Sequence, residues 1–273
     1  MSENEAFKAL VAERAAAKTG APPAKAKTPV LRPRDASTLI IIDSKDAAPR
    51  VLLGKRRDDL KFMPGKYVFP GGRLDADDKI MTAARELRQS EADKLLLDMK
   101  GHPSPARARG LGMTAVRETF EEAGIIIGGR AAAPPEIAPP SENPSLDSPA
   151  AKSWRQFQAH GFVPDLAALT FLARAITPPG RPRRFDTRFF CVEASAIAKS
   201  TDHNDGELSG LVWMTLVEAR ELDLPPITRV ILEDLGERIA KRSLDDPSVP
   251  IPYYFNRRGT FRREMLHLGA ASS

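Results

Sequence analysis

Three glutamates and an arginine lie within residues 117–125, which read Arg-Glu-Thr-Phe-Glu-Glu-Ala-Gly-Ile. At helical spacing Glu118, Glu121 and Glu122 share one face, because residues three and four apart are neighbours on a helix. Like charges at this spacing cost a helix about 0.2–0.5 kcal/mol per pair. A bound divalent cation would offset that cost, and carboxylates that leave room for water and phosphate suit Mg²⁺.

The opposite face of the same segment is apolar. Val116, Phe120 and Ala123 recur at i, i+4 and i+7, the spacing of a helix that packs one side against a core. Gly124 follows and can adopt the left-handed conformation that ends a helix. The pattern predicts a helix over roughly 111–123 that buries one side and presents its acids on the other.

Charges alone favour an ordinary explanation, a solvated acidic face in which Arg117 pairs with Glu121. The order of the residues favours a functional site instead. Residues 117–125 resemble the second half of the Nudix box, Arg-Glu-x-x-Glu-Glu-x-Gly followed by an apolar residue, and every position matches. The segment is therefore interpreted as half of a Nudix motif.

The other half lies far upstream. Residues 67–75, Tyr-Val-Phe-Pro-Gly-Gly-Arg-Leu-Asp, resemble the strand and glycine turn that open a Nudix box. Counting from Gly72 reaches Asp78, where the family has glutamate, and 38 residues separate Asp78 from Arg117 where the family has seven. Asp78 either takes the place of that glutamate or caps an inserted helix. We favour the second reading, because Asp suits an N-cap.

The insertion points to one branch of the superfamily. A long insertion inside the box resembles the peroxisomal coenzyme A diphosphatases and their bacterial relatives, and residues 62–65 and 182–190 are similar to that branch too. The resemblance covers roughly residues 36–240. It implies a Nudix-type α/β/α sandwich with a mixed sheet, extended here by an insertion helix and a further helical segment.

The resemblance also implies a cofactor and roles for the motif residues. Mg²⁺ or Mn²⁺ would be held by Glu118, Glu121 and Glu122, with the carbonyl of Gly72 completing the ligand set. Arg117 would orient the carboxylates through its fixed fork of donors, so it and Glu121 are expected to be catalytic. Loss of Glu122 should remove most of the activity while the helix stays folded.

Other residues are candidates for the general base and for substrate binding. Glu207 precedes a strand, where relatives offer a base, and Asp205 is the second choice. Residues 52–57, up to the glycine turn, resemble the coenzyme A recognition motif incompletely, because the serine after the arginine is missing. The predicted substrate-binding residues are the cations Arg56, Arg57, Lys66, Arg183 and Arg184. The alternative explanation of the last two is an ordinary solvated rim or salt bridges to Asp186.

The implied reaction is hydrolysis of a diphosphate bond, with coenzyme A or an acyl-coenzyme A giving 3′,5′-ADP and a 4′-phosphopantetheine. One alternative is the same chemistry on ADP-ribose or NADH. Another is a catalytically silent domain that binds a nucleotide as a sensor, which the intact acids disfavour. Binding of RNA ends would rest on charge alone.

Composition is compatible with an anionic small-molecule partner. The 273 residues carry a net charge of +5, a mild excess without the aromatic platform that single-stranded nucleic acid requires, so nucleic acid is not an expected partner. Cys191 is the only cysteine, which suggests a reducing compartment and a cytoplasmic location. Cys191 itself should be inert core packing. No apolar run approaches 18 residues, so no membrane partner is expected, while a homodimer is possible.

These residues must be positioned by elements that alternate along one α/β pattern. We expect a mobile extension at 1–35 (with a short helix at 5–18), a Nudix domain at 36–245 and a tail at 246–273. Within the domain, the insertion covers about 79–109, and a Pro-rich loop covers 131–150. Strands are predicted at 38–43, 50–55, 67–69, 172–176, 185–193 and 208–214. Helices are predicted at 80–100, 111–123, 154–172 (broken near Gly161 and Pro164) and 226–241.

Overall fold

A computed structural model describes residues 31–46, 48–60, 64–130, 148–202 and 207–269. The predicted helix at 5–18, residues 131–147 of the Pro-rich loop and Asp205 lie outside the described residues. The same holds for two of the residues that resemble the coenzyme A branch, Phe62 and Met63.

A mixed nine-stranded sheet forms the centre of the molecule. Its strands are β1 Arg34–Asp43, β2 Arg50–Arg56, β3 Tyr67–Val68, β4 Gly71–Arg73, β7 Thr170–Ile176, β8 Phe185–Glu193, β10 Leu208–Thr215, β11 Ile251–Arg257 and β12 Thr260–Leu266. They run in the order β10-β2-β1-β8-β7-β11-β12, while β3 pairs with β2 and β4 with β1. The β1–β8 and β7–β11 pairs are parallel, and the others are antiparallel.

Helices cover both faces of this sheet. They are α1 Gln89–Leu96, α2 Pro105–Ala123, α3 Pro149–Ala159, α4 Leu216–Glu221 and α5 Pro226–Ala240. A second, three-stranded sheet contains β5 Ile125–Arg130, β6 Phe162–Pro164 and β9 Ile197–Ser200. Short 3-10 turns occupy Asp77–Lys79 and Ala194–Ala196.

The alternating side chains of β1 explain why helices cover both faces of the sheet. Leu39 and Ile41 join the hydrophobic cluster that contains α2, whereas Ile40 and Ile42 join the cluster that contains α5. Successive side chains of a strand point to opposite faces, so a strand that is apolar at both parities must be covered on both sides. The predicted α/β sandwich with a mixed sheet is confirmed.

Two helices differ in length from the prediction. The inserted helix spans only Gln89–Leu96, because residues 84–85 are held extended by backbone hydrogen bonds to Pro164 and Leu166 (2.7 and 2.9 Å). The helix that carries the acids begins at Pro105, six residues earlier than expected. Ser104 caps it, its hydroxyl accepting from the Arg107 amide at 3.2 Å, and proline suits the first turn.

Other boundaries also require correction. The segment predicted as the helix 154–172 contains the end of α3, the short strand β6 and the start of β7. Residues 251–266, expected in a tail after 245, form the β11–β12 hairpin that extends the main sheet. The reason is packing, because Tyr253 and Tyr254 are buried where β11 runs parallel to β7.

Candidate catalytic site

Helix α2 carries the acidic face at a fixed orientation to the sheet. Val116, Phe120 and Ala123 are buried in the core, as their spacing predicts. Gly124 ends the helix at φ 67°, and its amide donates to the carbonyl of Phe120. Because the apolar side is held by packing, Glu118 and Glu122 face the glycine turn rather than open solvent.

Arg117 lies at the centre of the acidic face and is almost completely buried. Its Nη1 donates to Glu118 Oε1 at 2.8 Å and to Glu121 Oε1 at 2.9 Å, and its Nη2 donates to the carbonyl of Arg73 at 2.9 Å. Burial lowers the pKa of Arg117, but the hydrogen bond to Asp78 and the nearby carboxylates outweigh it and raise the pKa above its ordinary value. The guanidinium therefore stays charged and draws two carboxylates together.

Asp78 holds Arg117 from the other side. It is fully buried and accepts hydrogen bonds from Arg117 Nε at 2.7 Å and Nη2 at 2.9 Å. It also accepts from the Thr114 hydroxyl at 2.8 Å, from Trp154 Nε1 at 3.0 Å and from the Asp75 amide at 2.9 Å. A buried carboxylate with five donors is fully compensated, so it fixes the arginine rigidly.

The favoured reading of Asp78 as the cap of an inserted helix is wrong. It lies inside the 3-10 turn, where Ala76 occupies the N-cap and no side chain caps the turn. Trp154, which reaches Asp78 from α3, was missed as a site residue. Its indole lies 76 positions along the chain from Asp78, and no local pattern links the two.

The glycine turn approaches the acids closely. The Gly71 amide donates to Glu122 Oε2 at 3.1 Å. At Gly72 a Cβ would lie 2.5 Å from both carboxylate oxygens of Glu118, so only glycine leaves room for the carboxylate. A Cβ at Gly71 would instead lie 2.6 Å from the backbone carbonyl of Ser37. Both glycines therefore approach the acidic face, whereas a side chain added at Gly71 would clash with β1.

These contacts predict different outcomes for two alanine variants. Gly72→Ala should lower kcat by roughly tenfold or more with little change in melting temperature, because the Glu118 side chain can rotate away from the new methyl group. Gly71→Ala should lower the free energy of unfolding by about 1–3 kcal/mol, because its clash is with backbone. Thermal melts and steady-state rates on both proteins test this. Equal effects on stability would contradict it.

The acidic face has the chemistry of a cation site, although its carboxylates are drawn toward Arg117. Within the described ranges, no three His, Cys, Asp or Glu side chains are arranged as a finished metal site. Burial, together with the charge of Glu121, raises the pKa of Glu118 to about 7 against the opposing effect of Arg117. A further cation would stabilise the ionised form of this poorly solvated carboxylate. The oxygen donors of the face fit Mg²⁺ or Mn²⁺.

The shifted pKa predicts how stability depends on pH without metal. The folded protein binds the Glu118 proton more tightly than the unfolded chain, whose pKa is near 4.5, so stability falls as pH rises from about 5 to about 7. The expected loss is roughly 2 kcal/mol. Melts in a chelator across this range should show the slope, and Glu118→Gln should flatten it. A slope that persists unchanged in the variant would contradict the assignment.

The predicted base and three predicted substrate contacts lie around the ends of β2 and β3. Glu207 forms an ion pair with Arg56 at 3.1 Å. Arg57 pairs with Asp59 at 2.5 Å, and Lys66 pairs with Asp223. The structure thus brings the predicted base and Arg56 together. Their roles in catalysis remain predictions.

Arg183 and Arg184 lie elsewhere, at the start of β8, where they line a separate cavity with three other arginines. The neighbouring Arg188 is buried and forms ion pairs with Asp35 and Asp186 at 3.2 and 3.0 Å, so it cannot contact a substrate. Cys191 is buried as expected, and burial raises the pKa of its thiol to about 12. In the described part of the chain, no helix is both long and apolar enough to cross a membrane.

Comparison with known proteins identifies relatives by sequence, although no family model matches the chain. It is 30% identical over 200 residues to acyl-coenzyme A diphosphatase NUDT19 of Gallus gallus, which is 59% of this chain and 52% of that protein. It is 30% identical over 223 residues to the protein of the same name from Homo sapiens, which is 65% of this chain and 58% of that one. The chain therefore spans a little over half the length of these curated relatives.

A solved structure supports the fold. The NUDIX hydrolase from Alicyclobacillus acidocaldarius is 27% identical and has a TM-score of 0.50, with 81% of this chain and 94% of that chain covered. Together with the curated relatives, it confirms the similarity to Nudix hydrolases that the two halves of the motif predicted.

Proposed function

We propose that this chain, a relative of the Nudix hydrolases, is a metal-dependent diphosphatase that cleaves coenzyme A or an acyl-coenzyme A. Water adds across the P–O–P bridge, giving 3′,5′-ADP and 4′-phosphopantetheine or its acyl derivative. The observation that carries the proposal is the group of three carboxylates on α2, of which Glu118 and Glu122 face the Gly71–Gly72 turn and Glu121 shares Arg117 with Glu118. The name of the curated relatives, acyl-coenzyme A diphosphatase, supports the substrate class.

The cofactor would be Mg²⁺ or Mn²⁺ held by Glu118, Glu121 and Glu122, with the carbonyl of Gly72 as a further ligand. When bound, the cation would neutralise phosphate charge and make water a better nucleophile. Arg117 would keep the carboxylates of Glu118 and Glu121 close together, since its Nη1 donates to both. Diphosphate hydrolysis needs positioning and charge stabilisation more than covalent help from the protein.

In the Arg56–Glu207 pair, Arg56 would bind a substrate phosphate and Glu207 would act as the general base. A phosphate that binds Arg56 would compete with Glu207 for the guanidinium, since both are anions that accept its hydrogen bonds. Glu207 would then be released to accept a proton from the attacking water. Arg57 and Lys66 would add positive charge beside the same strand ends.

A substrate panel tests the proposal. The protein is incubated with Mg²⁺ or Mn²⁺ and coenzyme A, acetyl-coenzyme A, ADP-ribose, NADH or capped RNA, and products are identified by mass. Formation of 3′,5′-ADP, lost on chelation and restored by metal, is the expected result. Release of 5′-AMP from NADH with coenzyme A untouched would overturn the substrate. No hydrolysis of any compound would favour a nucleotide sensor.

Location and assembly belong to the same proposal. A cytoplasmic enzyme with a small-molecule partner is consistent with the single buried cysteine. The proposal allows a homodimer, and light scattering of the purified chain would measure the mass of the assembly.

A further inference from the structure

A basic pocket of about 420 Å³ lies beside the start of β1 and β8. We define it by its five arginines, Arg32, Arg34, Arg73, Arg183 and Arg184. Three separate stretches of chain supply them. The fold brings these arginines together, whereas a run of neighbouring cations in the sequence would not by itself form a concave site.

Backbone pairing assembles the basic pocket. The Arg34 amide donates to the carbonyl of Arg184 at 2.9 Å, which joins the first and third stretches. Ala36 pairs with Arg73 across β1 and β4, so Arg73 lies on the same sheet face as Arg34, two residues before Ala36. Arg184 is fixed further, since its Nε donates to the carbonyl of Thr177 at 2.9 Å.

The charges of the basic pocket are not balanced by acids. In the described part of the chain, Arg32, Arg34, Arg73 and Arg183 form no ion pair with a carboxylate. The buried Arg174, in contrast, pairs with Asp186 at 2.7 Å. Four guanidinium groups around one cavity repel each other, and a ligand with two negative charges would relieve that repulsion through charge-assisted hydrogen bonds. A phosphate monoester is such a ligand.

The basic pocket and the acidic face meet at β4. Gly72 faces Glu118, and the next residue, Arg73, lines the basic pocket on the other side of the strand. Adjacent Cα atoms are about 3.8 Å apart. On its edge away from β1, β4 meets side chains of α2, because the Gly71 amide donates to Glu122 and the Arg73 carbonyl accepts from Arg117. The exposed side chain of Arg73 therefore lies next to the acidic face, and one nucleotide can place its diphosphate at Gly72 and a second phosphate at Arg73.

We propose that the basic pocket binds a phosphate monoester that the substrate carries in addition to its diphosphate, as the 3′-phosphate of coenzyme A does. This inference rests on the proposed function and sharpens it. The basic pocket selects 3′-phosphorylated adenine nucleotides over ADP-ribose and NADH, which lack that group. Arg34, Arg73 and Arg183 thereby determine specificity rather than chemistry.

The kinetic test compares coenzyme A with 3′-dephospho-coenzyme A, which differ only in this phosphate. Native protein is expected to prefer coenzyme A in kcat/KM by about tenfold or more. In Arg34→Gln and Arg183→Gln the ratio should fall toward one, through KM. The matched control is Arg262→Gln, an exposed arginine on β12, which should keep the native ratio. A native ratio near one, or a ratio unchanged in both variants, would overturn the inference.

A binding test separates this inference from the proposed function. Calorimetry measures the affinity of native protein and the same variants for 3′,5′-ADP and for 5′-AMP. Tighter binding of 3′,5′-ADP, lost in Arg34→Gln and Arg183→Gln but not in Arg262→Gln, supports the pocket even if no substrate is hydrolysed. Equal affinity for the two nucleotides overturns the pocket, whether or not coenzyme A is cleaved.

Discussion

Replacing Glu122 by glutamine is expected to lower kcat for coenzyme A hydrolysis by about 10³-fold while the protein stays folded. Glu122 Oε2 accepts from the Gly71 amide, and the amide oxygen of glutamine can keep that bond. What the variant loses is the negative charge on a nearly buried side chain that faces the glycine turn. If that charge holds a cation, affinity for the metal and the rate should fall together.

The measurement combines steady-state kinetics over a range of Mn²⁺ concentrations with thermal melts. Glu237→Gln on α5 is the matched control, because that glutamate forms an ion pair with the exposed Lys241 at 3.1 Å, and α5 packs on the opposite face of the sheet from α2. The control should retain native kcat. A Glu122→Gln protein that keeps kcat within tenfold of native, or that melts far below it, would contradict a role in binding the metal.

The acidic face could be predicted because its signals are local. Glu118, Glu121 and Glu122 follow from the period of one helix, and Gly124 marks its end. The Gly71–Gly72 turn was recognisable from neighbouring residues too. The 38 residues between Asp78 and Arg117, where the family has seven, did not hide the motif, since each half keeps its own pattern.

The remaining parts of the site depend on distant partners, which no local pattern contains. The basic pocket needs Arg34 and Arg184 to meet, although 149 residues lie between them. Strand β11 was expected in a tail because its place in the sheet depends on the edge of β7. Residues 84–85, predicted to be helical, are extended because they form backbone hydrogen bonds with Pro164 and Leu166. Such features follow from the assembled sheet rather than from propensity.

Asp78→Asn is expected to lower the free energy of unfolding by about 3 kcal/mol. The substitution keeps the shape of the side chain but removes the charge that balances the buried Arg117, and an amide nitrogen cannot accept from the guanidinium. Arg117 should then shift toward the carboxylates of Glu118 and Glu121, which it already contacts. We therefore expect kcat to fall as well, by roughly 10²-fold, even at temperatures where the variant is folded.

Trp154→Phe separates the two effects, because it removes one hydrogen bond to Asp78 and keeps an aromatic ring in the cluster with Phe157. Its expected cost is about 1 kcal/mol, with kcat within about threefold of native. If Asp78 acts by positioning Arg117, the double variant should lose less stability than the sum of the single variants, since Trp154 acts through the same carboxylate. Additive losses, or an Asp78→Asn protein with native kcat at low temperature, would show that Asp78 only stabilises the fold.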